Sequence, residues 1–112
     1  MLLTFLRSYF LTTMSIVEFM ESLKKSNPPT GLDPLLLALW FDAKGDWEKS
    51  HSIIQEIETK DAAVIHAYLH RKEGDQWNAD YWYKRSSLLC PDISLQQEWE
   101  KLATKFLNAR YP

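Results

Sequence analysis

Apolar side chains recur at helical spacing along most of this chain, and turn-forming residues mark where one run stops and the next begins. Ile16, Phe19, Met20 and Leu23 fall at i, i+3, i+4 and i+7, one stripe of a helix. Ser15 and Glu18 supply the S-x-x-E capping box that opens it. "SLKKSNPPTGLDP", residues 22–34, ends that helix on two lysines and continues as a connector rich in proline and glycine. Asp33 before Pro34 is an N-cap followed by proline at the first helical position. From Leu35 to Phe41 every residue is apolar, so this second helix is apolar all round and should lie at the centre of the molecule. Gly45 stops it. Asp46 caps "WEKSHSIIQEIE", which turns Trp47, Ser50, Ile53, Ile54 and Ile57 inward. So short a connector folds the two helices back antiparallel.

The same arrangement returns. Asp61 is the expected cap of "AAVIHAYLHRKE", Gly74 stops that helix, and Asp75 caps "QWNADYWYKR". Laying residues 38–50 on residues 67–79 aligns Gly-Asp with Gly-Asp and Ser50 with Ala79. Helix pairs at a fixed period are the mark of stacked hairpins. Gly74, Ala79, Tyr83, Ser86 and Pro91 fill the glycine, small, bulky, small and proline places of a tetratricopeptide repeat. In the first copy Gly45, Ser50 and Ile54 fit, whereas Ile57 and Ala62 depart from the pattern, and the period is shorter than usual for those repeats. Residues 35–91 therefore resemble the tetratricopeptide family, which implies two stacked antiparallel hairpins and a role in binding other proteins. "AYLHRKEGDQWNADYWYKR" is also similar to a stretch of small bacterial helical proteins of unknown function, which implies a bacterial, cytoplasmic origin.

A last helix opens on the capping box of Ser94 and Gln97 and carries Leu95, Trp99, Leu102 and Phe106 on one stripe. Its other side is polar, as a terminal element of a stack must be. The expected fold is all-α. It has about six helices, two stacked hairpins flanked by amphipathic terminal helices, in one domain over residues 15–110. "MLLTFLRSYFLTT", residues 1–13, is read as an apolar extension outside that domain, with Met14 at the place of a translation start. The alternative for it is a short helix that touches a membrane or a partner. Interrupted by Arg7, it is far shorter than the about 20 residues of a membrane span.

Composition narrows the function. A net charge of −2 leaves no broad basic surface, which argues against nucleic acid as a partner. The single cysteine, Cys90, cannot form an internal disulfide, in keeping with a reducing, cytoplasmic setting. The three glycines are isolated, so there is no phosphate loop, and neither HExxH nor CxxC occurs. Ser86 and Ser87 lack the context of a nucleophile elbow. A non-catalytic protein without a cofactor is the expectation.

The aromatic residues are the unusual feature. On the helix after Gly74, Ala79, Tyr83 and Ser86 share one face, Trp77, Tyr81 and Leu88 lie opposite, and Trp82 stands between. Two apolar faces predict two covering neighbours, the hairpin partner and the C-terminal helix. The alternative leaves Tyr81 or Trp82 partly exposed as a binding anchor, since Trp, Tyr and Arg dominate hot spots. The preferred function is a protein or peptide interaction module, with self-association as one form of it. Its surface would carry His66, Tyr68, His70, Arg71, Trp77, Tyr81 and Trp82. The rival is a metal or small-ligand site at His66, His70 and Glu73, spaced i, i+4 and i+7 on one stripe. His51 would complete it if the hairpins bring it close. The plainer alternative is a pair of solvent-facing or edge histidines.

Overall fold

The computed structural model describes residues 13–112, so the expectation for the N-terminal extension falls almost wholly outside the described residues. Six α-helices and no strands make up the described part. They are α1 (Ile16–Ser22), α2 (Pro34–Ala43), α3 (Trp47–Ile54), α4 (Lys60–Lys72), α5 (Gln76–Arg85) and α6 (Leu95–Arg110). The caps follow from local chemistry. Ser15 and Ser94 each form a reciprocal capping box, with Glu18 and Gln97. Asp33, Asp46 and Asp75 accept a backbone N–H from the first turn of α2, α3 and α5.

Both interhelical glycines adopt a left-handed conformation, Gly45 at φ +87° and Gly74 at +89°. In each turn the next aspartate sends its backbone N–H to the carbonyl five residues back, Asp46 to Phe41 and Asp75 to His70. That closure lets the chain reverse at once and start the next helix. α2 packs on α3 and α4 on α5, α3 bridges to α4, and α6 lies across α1, α2 and α4.

Two boundaries differ from the sequence reading. α3 stops at Ile54 although its pattern runs on to Glu58, and α4 is capped by Thr59 and not by Asp61. Glu56 and Glu58 would place negative charge at a helix C-terminus, where the macrodipole disfavours it. Thr59 is also a good cap lying closer to that break, and its side chain accepts the Ala62 N–H at 3.1 Å.

The core joins Phe19 of α1, Leu36, Leu39 and Trp40 of α2, Ile65 and Leu69 of α4, Tyr83 of α5 and Trp99 and Phe106 of α6. Indole N–H groups tie it together. Trp40 donates to Ser22 Oγ, Trp47 to the Leu69 carbonyl and Trp99 to the Leu39 carbonyl. Equivalent places in the two hairpins are treated alike, for Ser50 and Ala79, and Ile54 and Tyr83, are all buried.

Candidate functional site

α4 places His66 and His70 one turn apart, and the α3–α4 contact carries His51 onto them. His51 Nε2 lies 3.1 Å from His66 Nε2. The ring centroids are 4.8 Å apart for His51 and His66, 4.9 Å for His66 and His70, and 5.2 Å for His51 and His70. His66 and His70 are buried, so that pair is neither solvent-facing nor at an edge, and His51 is half-buried. Indoles wall the cluster on two sides, Trp47 stacked on His51 at 4.8 Å and Trp82 on His66 at 3.9 Å. Burial, followed by the neighbouring His51 and His70, pushes His66 down to about 4. Burial, then His70, also lowers His51. Glu73 is not a third member of this group. Its carboxylate sits behind His70, with Oε2 at 2.5 Å from Nδ1.

The other side of α4 is spent on two buried carboxylates, each served by a tyrosine and a cation. Tyr68 Oη donates to Asp42 at 2.8 Å, and Lys72 Nζ lies 2.9 Å from the other oxygen. Arg71 pairs with Glu98 at 2.7 Å and also donates to the Ile93 carbonyl, while Tyr83 Oη stands 2.6 and 2.9 Å from the two Glu98 oxygens. Burial, reinforced by the carboxylate each phenol faces, raises both tyrosines above their ordinary range. Besides the buried His66 and His70, two further members of the expected binding surface are thus engaged within the molecule. Tyr68 is buried, and Arg71 is held by Glu98 and cannot orient a partner. An unpaired carboxylate so deeply placed would be costly, and Tyr68 with Lys72 satisfies Asp42 as Arg71 with Tyr83 satisfies Glu98.

The aromatic face of α5 is open. α6 packs on α1, α2 and α4 and leaves Trp77, Tyr81 and Leu88 uncovered, contrary to the expected second neighbour. Trp77 is 82% exposed, and Tyr81 and Leu88 are about half exposed, at 47% and 48%. Leu89, which carried no signal in the helical pattern because it follows the end of α5, is 90% exposed. Arg85 leans over Trp82 at 5.3 Å and donates to Tyr81 Oη at 3.1 Å. Beside Leu88 and Leu89, a hollow of about 150 Å³ runs between Val64, Pro91 and Leu102, with Lys101 and Lys105 on its rim.

No family model matches this chain, and no curated protein or solved structure matches it either. Among the described residues no helix is long and apolar enough to cross a membrane. Of the groups brought together, His66, His70 and Glu73 were visible from their spacing on one helix. The place of His51 depends on how two hairpins meet, and no periodicity encodes that.

Proposed function

We propose that this chain is a non-catalytic protein–protein interaction module, with the outer face of α5 and the loop after it as the docking surface. One observation carries the proposal: Trp77 and Leu89 are almost fully exposed on a stack whose other large apolar side chains are mostly packed. Exposed apolar groups of this size and clustering mark interaction sites. Tyr81 and Leu88 extend the surface, and Trp82 contributes the edge that His66 leaves free. Lys84, Lys101 and Lys105 are exposed around it, so the partner is an apolar segment flanked by acidic residues. Arg85 holds Tyr81 and Trp82 in place, which reduces the side-chain entropy lost on binding.

The test uses Trp77→Ala and Leu89→Ser, two changes at exposed positions that leave the core intact. Wild-type chain on a support should retain a partner, or a second copy of itself by light scattering, that either variant loses. Burying an exposed tryptophan at the centre of such a contact is worth about 2 kcal/mol or more, roughly a thirtyfold loss of affinity in the variant. A monomer that captures nothing, or identical capture by wild type and both variants, contradicts the proposal.

A further inference from the structure

His51, His66 and His70 are all the histidines of the chain, and one donor atom from each lies within 4.8 Å of the others. We propose that they form a site for a divalent transition-metal ion of the zinc, cobalt, nickel or copper class, bound through three imidazole nitrogens with a further position left open. This site is independent of the docking face on α5.

The geometry is close to what such an ion needs. Bonds of about 2.0–2.1 Å in a tetrahedron set neighbouring nitrogens about 3.3–3.4 Å apart. The Nε2 atoms of His51 and His66, at 3.1 Å, already stand at nearly that separation. The widest pair stands within 4.8 Å, so it needs to close by no more than about 1.5 Å, within reach of side-chain rotation. In the metal-free chain one of the two Nε2 atoms must carry the proton and the other accept it. An ion takes both Nε2 lone pairs as ligands, and the ring that had carried its proton on Nε2 then carries it on Nδ1.

His70 is prepared in the way metal-bound histidines usually are. Its Nδ1 donates to Glu73 Oε2, which fixes the tautomer and leaves Nε2 free as the ligand atom. The rings of His51 and His66 are held flat against Trp47 and Trp82, and Trp47 is itself pinned through its N–H to the Leu69 carbonyl. With one ligand on α3 and two on α4, a bound ion would staple the first hairpin to the second. Imidazole donors select borderline transition metals, whereas magnesium and calcium require oxygen. His70, Glu73 and Asp75 form a second possible grouping, but it is mostly exposed and rich in carboxylate. The test must tell the two apart.

The untagged full chain, stripped with a chelator, is titrated with zinc and separately with cobalt. Saturation at one equivalent is expected, with the visible absorption of four-coordinate cobalt and a change in Trp47 and Trp82 fluorescence at the same stoichiometry. His51→Ala, at a half-buried position on α3, should keep its helical circular dichroism and lose affinity by more than the about 10–100-fold that an outer-shell change produces. Glu73→Gln should fall within that about 10–100-fold range. Absence of saturable one-to-one binding by the wild type overturns the proposal whatever the variants do. Unchanged binding by folded His51→Ala overturns it as well and assigns the ion to the His70, Glu73 and Asp75 group.

Discussion

Single residues decide where this chain turns, and Ser87 shows it best. α5 ends as α2 and α4 do, with a left-handed residue followed by a backbone N–H returned to the carbonyl five residues back, here Leu88 to Tyr83. The first two turns use glycine at that place, and the third holds Ser87 at φ +65°. A side chain there costs about 1–2 kcal/mol, partly offset by the smaller backbone entropy that serine loses on folding. Ser87→Gly is accordingly expected to stabilise by about 0.5–1 kcal/mol, and Gly74→Ala to destabilise by about 1 kcal/mol. A Cβ added at Gly74 meets nothing within 4 Å, so strain in φ alone sets that loss. Denaturant midpoints with an unchanged slope would measure both; a destabilised Ser87→Gly would remove the left-handed cap from the account.

Among the elements, α4 is the hub, because every side of it is used. One face presents His66 and His70 to α3, another sends Tyr68 and Lys72 to Asp42 of α2, and Arg71 reaches Glu98 of α6. Removing the Glu98 carboxylate leaves the Tyr83 hydroxyl and most of the Arg71 guanidinium facing the interior unpaired. Glu98→Ala should destabilise by about 3 kcal/mol, and Glu98→Gln, which still accepts from Tyr83, by less. Equal losses in thermal unfolding would mean that the charge facing Arg71 carries the whole contribution and that packing and acceptance from Tyr83 add nothing. This wiring also explains what the chain order revealed and what it hid. Caps, glycine turns and the all-apolar run of α2 are local, so the helices and most of their ends were legible in the residues. The burial of Tyr68, the capture of Arg71 and the arrival of His51 depend on contacts between helices far apart in sequence. Trp77, Tyr81 and Leu88 looked like a buried face for the same reason, since nothing local states that α6 packs elsewhere.

Taken whole, the molecule is a set of hairpins with an imidazole cluster between them and an aromatic face outside. The cluster should make the metal-free chain sensitive to mild acid. In the folded chain His66 titrates near 4, below the about 6.5 of an unfolded histidine, so the unfolded chain takes up a proton first as pH falls. Stability from His66 is complete above about pH 6.5, declines from there towards 4, and levels below that. His51 and His70 face it from α3 and α4, Glu48 and Glu73 lie near His51, and Arg85 of α5 sits over its stacking partner Trp82. Carboxylates titrate in the lower part of this range, so melting curves are compared with those of His66→Phe, which keeps a flat ring against Trp82. The variant should lose less stability than wild type between pH 7 and 5, and parallel curves would contradict the buried neutral imidazole.

Solvent exchange of the five indole N–H protons, followed by nuclear magnetic resonance on the isolated chain, tests the open aromatic face most directly. Trp40, Trp47 and Trp99 have protein acceptors and should exchange slowly, while Trp77 should exchange fast and Trp82 faster than those three. Slow exchange at Trp77 in the monomer would mean that this face is already covered within the chain, and the docking surface would be lost with it.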